Sequence, residues 1–403
     1  MKNPLIYFLF IFVVTLGTSC DDEPDVDDGG SNVEELPLIN ISNLILPEGN
    51  TATTTFRFKV STSEASTKAV SVDYATEEKT AGIGIDFEEA IGTLTIPAGE
   101  TEGFIEVSVV TDTLKEEDEE FEVKLSNPVN AQFLTSSGSG TIRNDDTFVF
   151  VPEDGYITPE NYTGFNLVWG DEFDGNQLNP DDYTYEQGAG GWGNQESQIY
   201  TNRSENSYLS DGNLVIEARE ENFNGSNYTS ARIITQSKKI FAFGRIDIRA
   251  ILPEGQGIWP ALWMLGEDFG TIGWPACGEL DIMELLGHEP GTVHGTAHWG
   301  PQGQSFSTFK GNEYSLNGGE KFSDEYHVFS LIWEPNSVRW LVDDVQYHSI
   351  TTADVNGTPY PFNDEFFFIF NIAVGGQWPG YPDASTQFPQ RMFIDYVRVF
   401  QEN

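Results

Sequence analysis

Short runs in which apolar and polar residues alternate recur along most of this chain, and no long stretch carries a helical period. Thr54-Phe56-Phe58-Val60, Val70-Val72-Tyr74, Thr93-Thr95 and Phe104-Glu106-Ser108 each set every second side chain on one face, and Phe121-Val123-Leu125 follows. Turn-formers such as Pro97-Ala98-Gly99 lie between them. Alternation of this kind buries one face of a strand and leaves the other to water, so the expected class is all-β. Residues 36–146 are expected to form an Ig-like β-sandwich. Residues 147–403 carry further runs, among them Phe241-Phe243, Arg245-Ile246-Asp247-Ile248-Arg249, Val328-Ser330-Ile332 and a closing strand from Phe393 to Phe400. Trp333 to Trp340 reads as a hairpin turning at Pro335-Asn336. A segment of that size built from such strands should be two stacked sheets, a β-sandwich jelly roll.

One run breaks the alternation. In Gly278-Glu279-Leu280-Asp281-Ile282-Met283-Glu284-Leu285-Leu286, Glu279 and Asp281 share a face, whereas Glu284 points the other way. A β-bulge that takes up one extra residue between Asp281 and Glu284 would bring all three carboxylates onto one face. Carboxylates held amid apolar residues are costly unless they have a use. Two carboxyl groups a few ångströms apart, with a third tuning them, suit glycosidic bond cleavage. An acidic strand facing water, or a metal site made of the same three groups, would use the same residues.

The surroundings of the triplet carry a resemblance. Trp169-Gly170-Asp171-Glu172-Phe173-Asp174-Gly175, Gly191-Trp192-Gly193-Asn194-Gln195-Glu196, Trp259-Pro260-Ala261-Leu262-Trp263-Met264 and the segment from Asn371 to Gly380 occur in that order around it. Together they resemble glycoside hydrolase family 16 over the whole of 147–403. The resemblance implies a retaining endo-hydrolase in which Glu279 is the nucleophile, Asp281 its supporting carboxylate and Glu284 the general acid/base, with carboxyls about 5–5.5 Å apart and no cofactor for catalysis. Asn194 and Glu196 are then candidates for hydroxyl recognition on the non-reducing side, and His298 falls near the leaving group. Sugar sites pair flat aromatics with a few polar groups, so Trp259, Trp263, Trp274 and Trp378, four of the nine tryptophans, are candidate platforms. Cys277 shares parity with Glu279. The family often holds a structural calcium, and the matching positions are Glu172, the carbonyl of Gly212, and Asp395. Members with the extra residue in the triplet resemble β-1,3-glucanases and galactan hydrolases, and those without it mixed-linkage lichenases. This chain has it, and its flanking segments look most like laminarinases. A non-catalytic surface glycan-binding protein would preserve the same aromatics.

Within 36–146, the order Asp86-Phe87, Gly92 to Glu100, Glu119 to Ser126 and Asn144-Asp145-Asp146 resembles the Calx-beta domain. Members often bind calcium at one end of the sandwich, and the matching positions are Glu48, Asp86, Asp112, the run Glu116 to Glu120 with Glu117 and Asp118, Asp145 and Asp146. The carboxylates between Asp112 and Glu120 are opposed by Lys115 alone, so they repel one another unless solvated or bridged by a hard cation. A solvated acidic loop is the other reading.

A formal net charge of −44, from 20 Lys+Arg against 64 Asp+Glu, argues against nucleic-acid binding and repels anionic polymers and membranes. A neutral polysaccharide, or a cation, fits better, and the expected state is a monomer. At the N-terminus Lys2 precedes an apolar stretch from Leu5 to Leu16, shorter than the about twenty residues a spanning helix needs. Small residues before Cys20 resemble a lipoprotein signal (1–20), although Leu16 lies one position further from the cysteine than is usual. An ordinary cleaved signal with an incidental cysteine is the alternative. Residues 21–35 read as an acidic flexible tether. Their first residues resemble the export tag of bacterial surface lipoproteins, which implies lipidation of Cys20 and an outer-membrane, cell-surface location with contact to the membrane only through the anchor. Cys277 would then have no disulfide partner.

Overall fold

The computed structural model describes residues 35–403 apart from 51, 52, 147, 150, 152 and 176. Cys20, the signal and nearly all of the tether lie outside the described residues. The described chain is two β-sandwiches in series.

In the first, a sheet with strand order Glu102–Val109, Thr54–Thr62, Leu38–Ile41 and Gln132–Phe133 faces another with order Leu44–Pro47, Ser137–Arg143, Glu119–Val129, Val70–Glu78 and Ile91–Ile96. Phe56, Phe58, Phe87 and Phe121 fill its centre, and the rings of Phe87 and Phe121 stack at 4.5 Å. Gly140 makes room for them, because a Cβ there would lie 2.5 Å from the Phe121 ring. Two runs take the opposite parity to that expected. In Glu102–Val109 the buried column is Ile105, Val107 and Val109, while Phe104 faces outward beneath the Arg57 guanidinium, 3.8 Å from the ring. In Ile91–Ile96, Ile96 is buried and Thr93 turns out to Asp73. The reason is area: three branched aliphatics remove more apolar surface from water than one Phe, and the alternative would bury Glu106.

In the second sandwich the back sheet runs Gln198–Tyr200, Ser226–Ser230, Asn213–Phe223, Gln390–Glu402, Gly244–Ile251, His327–Glu334, Ser337–Val342 and Val345–Thr351, with Phe165–Asp171 and Ser207–Ser210 paired alongside. The site sheet runs Thr184–Glu186, Arg232–Ile234, Phe366–Val374, Ile258–Gly266, Glu279–Leu285, Thr292–Trp299 and Thr308–Ser315. The Pro335-Asn336 hairpin forms as expected, with Glu334 opposite Ser337 and Asn336 at φ 66°. Between the sheets lies one large core that includes Leu262, Met264, Leu280, Leu285, Phe368 and Phe370 from the site sheet, and Trp333 and Trp340 from the back sheet. A smaller apolar cluster of Ile234, Leu265, Cys277, Phe367 and Ile369 sits apart from it, with Trp263 and Trp274 packed against it. Cys277 is a free, buried thiol whose pKa burial pushes up to about 12, so it packs rather than reacts.

The sandwiches meet through the acidic loop. Lys115 reaches into the second sandwich, its side chain almost fully buried, 3.9 Å from a carboxylate oxygen of Glu217 and 4.0 Å above the ring of Tyr208. Arg219 pairs with both Glu217 and Glu117. Burial pushes the Glu217 carboxyl up, but Lys115, Arg391 and Arg219 more than offset this, so it titrates below its ordinary range.

Candidate active site

The bulge is where strand parity requires it. On one side Asp281 pairs with Thr296 and Glu284 with His294, three residues against two. On the other, Trp263 pairs with Asp281 and Leu262 with Met283, so Ile282 is the extra residue. Ile282 and Met283 both drop into the core, and Glu279, Asp281 and Glu284 come up on the same face. Cross-strand partners share a face, so His294, Thr296 and His298 form a row beside them, and Phe309, Gly311 and Glu313 the next row out.

Three carboxyl groups so close cannot all ionise freely. Burial, then the charge of Asp281, raises Glu279 to about 8, while His298, Arg232 and the indole of Trp274 pull it back. Asp281 is 4% exposed and raised by burial, also to about 8. Glu284 is pushed well above the carboxylate range by burial, Asp281 and Glu279, against a hydrogen bond from Trp259 Nε1 to its Oε1 at 3.1 Å. Glu284 therefore retains a proton where a general acid needs one. Burial and Asp281 also hold a proton on Glu279, and His298, Arg232 and Trp274 are the groups that oppose them and favour its ionised form. His298 ties the site together: its Nε2 lies 3.3 Å from Asp281 Oδ2 and 3.8 Å from Glu279 Oε1, and Nδ1 is 2.9 Å from the Ser307 hydroxyl.

The candidate tryptophans divide by role. Trp259 holds Glu284, and Trp378, 43% exposed, meets it edge-on at 5.6 Å. Trp378 also packs at 5.1 Å against His294. Trp263 is partly buried and donates to Asn371 Oδ1 at 2.8 Å. Trp274 stands 6.4 Å from the His298 ring. Asn194 and Glu196 are joined at 3.2 Å, and Gln198 Nε2 holds the other Glu196 oxygen at 2.6 Å. The Asn194 carbonyl accepts from Gln377 N, which docks this loop on the segment leading to Trp378. Sequence reasoning missed Arg232. Its guanidinium lies 5.0 Å from the Trp192 ring and 4.8 Å from Trp263, is anchored by Glu186, and reaches Glu196 and Glu279 electrostatically. A lone arginine inside Ala231-Arg232-Ile233-Ile234 was its only signal.

The metal positions fare unevenly. Strands Phe165–Asp171 and Asn213–Phe223 pair end to end along one side of Gln390–Glu402, which brings Glu172 and Gly212 to either side of Asp395. Yet Arg398 takes both carboxylate oxygens of Glu172 at 2.7 Å, and Arg249 takes one of Asp395 at 2.7 Å. The Glu172 side chain is thus engaged by an arginine, and backbone carbonyls and the second Asp395 oxygen are what this position offers a cation. In the first sandwich, Glu48, Asp112 and Asp146 bring ligand atoms within 4.8 Å of one another. Burial, then Asp112 and Glu116, raises Glu48 to about 7. Burial and Asp86 do the same to Glu119. Asp146 is 6% exposed and its Oδ2 has no hydrogen-bond partner among the described residues. Three of the candidate ligands also hold other partners: Glu117 binds Arg219, Asp118 accepts from Asn144 N, and Asp145 accepts from Gly49 N. Glu116 and Glu119 of the same run stand closer to the cluster, as their mutual repulsion with Asp86 indicates.

A bulged strand that presents a proton-holding carboxyl and an ionisable one among indoles, on the exposed face of a jelly roll, defines a glycosidase of the two-carboxylate kind. The chain belongs to the glycosyl hydrolases family 16, whose family model matches residues 193–398. The Calx-beta domain model matches residues 48–147. The chain is 41% identical over 247 residues to a Beta-glucanase of Rhodothermus marinus, covering 59% of this chain and 85% of that protein. It is 37% identical over 322 residues to Glucan endo-1,3-beta-glucosidase A1 of Niallia circulans, covering 70% of this chain and 46% of that one. The solved laminarinase catalytic domain of Thermotoga maritima superposes with a TM-score of 0.56 at 47% identity, over 59% of this chain and 99% of that domain.

Proposed function

We propose that the chain is an endo-acting β-1,3-glucanase of the laminarin type that cleaves with retention. The observation that carries this is the bulged triplet with its proton-holding Glu284 and Glu279 beside it. The β-1,3-glucanase and laminarinase names of its relatives support the substrate, and the strong negative charge disfavours a sulfated polymer. In the first step Glu279 attacks the anomeric carbon while Glu284 gives its proton to the departing glycosidic oxygen, leaving a covalent glycosyl–Glu279 ester. In the second, Glu284 takes a proton from water, the hydroxide oxygen displaces Glu279, and the sugar leaves with its original anomeric configuration. Asp281, whose Oδ2 lies 3.3 Å from His298 Nε2, holds the charge and proton balance of Glu279. A product profile on laminarin, lichenan, agarose and porphyran tests the reading. Short oligosaccharides from laminarin support it; activity confined to a galactan moves the substrate, and no activity on any of them leaves a glycan-binding protein.

The cluster of Glu48, Asp112 and Asp146 fits calcium, because it offers only carboxylate oxygens and one buried, unpartnered Asp146 oxygen. Calcium there would supply positive charge that Glu48 and Glu119 otherwise obtain by protonation; chelation should then lower the melting temperature of the first sandwich in the wild type and not in Asp146→Asn. We further propose that Cys20 is lipidated and tethers a monomeric enzyme to the cell surface, where a polymeric substrate is met. Loss of membrane-fraction activity in Cys20→Ser checks this.

A further inference from the structure

The bulge that sets the triplet needs a support, because an extra residue breaks the ladder and leaves a backbone group seeking a partner. That support comes from across the core. Trp340, on the back-sheet strand Ser337–Val342, is fully buried, and its Nε1 donates to the carbonyl of Asp281 at 2.7 Å. Asp281 is the residue at which the register shifts. On the neighbouring strand, Gly295 lies between Thr296 and His294, the partners of Asp281 and Glu284. A Cβ on Gly295 would stand 2.6 Å from Trp340 Cδ1 and 2.3 Å from the Tyr347 hydroxyl, so this glycine is the recess into which the indole fits.

Resting on the glycosidase reading above, we propose that Trp340 is a positioning residue for the reaction: its indole N–H, donated through the core to the Asp281 carbonyl, fixes the bulge and with it the placement of Glu284 relative to Glu279. It touches no substrate and acts from the far sheet. A carboxyl displaced by about 1 Å costs on the order of 100-fold in rate. Losing the tether therefore lowers turnover, while the indole platforms that bind sugar stay in place.

The same core supplies a control. Trp333 is equally buried and donates Nε1 to the Phe362 carbonyl at 2.7 Å, not to the bulged strand. Trp340→Phe and Trp333→Phe remove the same donor from the same core, and both should lower the melting temperature. Trp340→Phe should lower kcat by about 10- to 100-fold with KM within about twofold and move the alkaline limb of the pH profile. Trp333→Phe should leave kcat and the pH profile unchanged. If Trp340→Phe folds poorly, benzothienylalanine at 340, which keeps the ring shape and replaces N–H by sulfur, must reproduce the loss. Kinetics are read on whichever polysaccharide the wild type cleaves. A wild type that cleaves none counts against the proposed function, and a crystal structure of Trp340→Phe then decides the positioning claim alone: a changed Glu279–Glu284 separation supports it. Wild-type kcat in the 340 variants, equal kcat losses in the 340 and 333 variants, or an unchanged carboxyl separation overturns it.

Discussion

Replacing the nucleophile should abolish turnover and yet stabilise the fold, in a pH-dependent way. Glu279→Gln keeps the shape of the side chain and removes its titration. In the wild type, burial and Asp281 raise the folded-state pKa from 4.5 to about 8. A raised carboxyl pKa means the folded state holds a proton that the unfolded chain has released. Its contribution is fully present below the unfolded value and is lost as pH rises through the folded one. Between those limits the wild type loses about 1.4 kcal/mol per pH unit, which reaches about 3.4 kcal/mol at pH 7. The Glu279 side chain keeps 17% exposure, so water reaching it offsets part of this, and the variant should gain about 1–3 kcal/mol at pH 7.5. For a domain of this size that is about 3–10 °C in melting temperature. At pH 5 the gap should shrink below about 2 °C. Calorimetry of the second-sandwich transition across this range is the assay. A gap that does not grow with pH, or a destabilised variant, refutes the claim that Glu279 is held in a proton-retaining environment.

Removing the hydrogen bond to the acid in Trp259→Phe should raise Glu284 further, because that bond opposes burial and Asp281; the alkaline limb of kcat/KM moves to higher pH, read from a pH–rate profile. Glu217→Gln leaves Lys115 and Arg391 without their anion and Arg219 with one partner fewer, and should destabilise the second sandwich by about 3 kcal/mol, with faster tryptic cleavage at Lys115 as the sandwiches part. Glu279, Asp281 and His298 offer ligand atoms within 4.8 Å of one another, a set suited to a borderline divalent ion. Zn²⁺ should therefore inhibit competitively with glucan, and His298→Ala should weaken that inhibition by about tenfold in an inhibition titration.

How far the sequence speaks depends on whether a feature is local. The bulge was legible, because two residues between Asp281 and Glu284 give the wrong parity on any strand, and only one extra residue repairs it. The jelly roll and its Pro335-Asn336 hairpin were legible for the same reason: period and turn residues are written locally. Trp340 was not, since its partner lies across the core in the other sheet and its alternation marks it only as buried. Arg232 was hidden likewise, in a strand too short to show a pattern. Phe104 misled because one large aromatic suggested the buried face, whereas the aliphatic column Ile105, Val107 and Val109 takes it. The Arg398 partner of Glu172 was not legible, because it stands on the adjacent strand yet 226 residues along the sequence.

The central claim is that Glu279 attacks and Glu284 delivers and then recovers the proton. Proton NMR of the first products from laminarin, recorded before mutarotation, tests it most directly. The account predicts β-configured reducing ends at the earliest times, the outcome of two displacements at one carbon. An initial α-anomer would mean a single displacement by water and would remove Glu279 from the role of nucleophile.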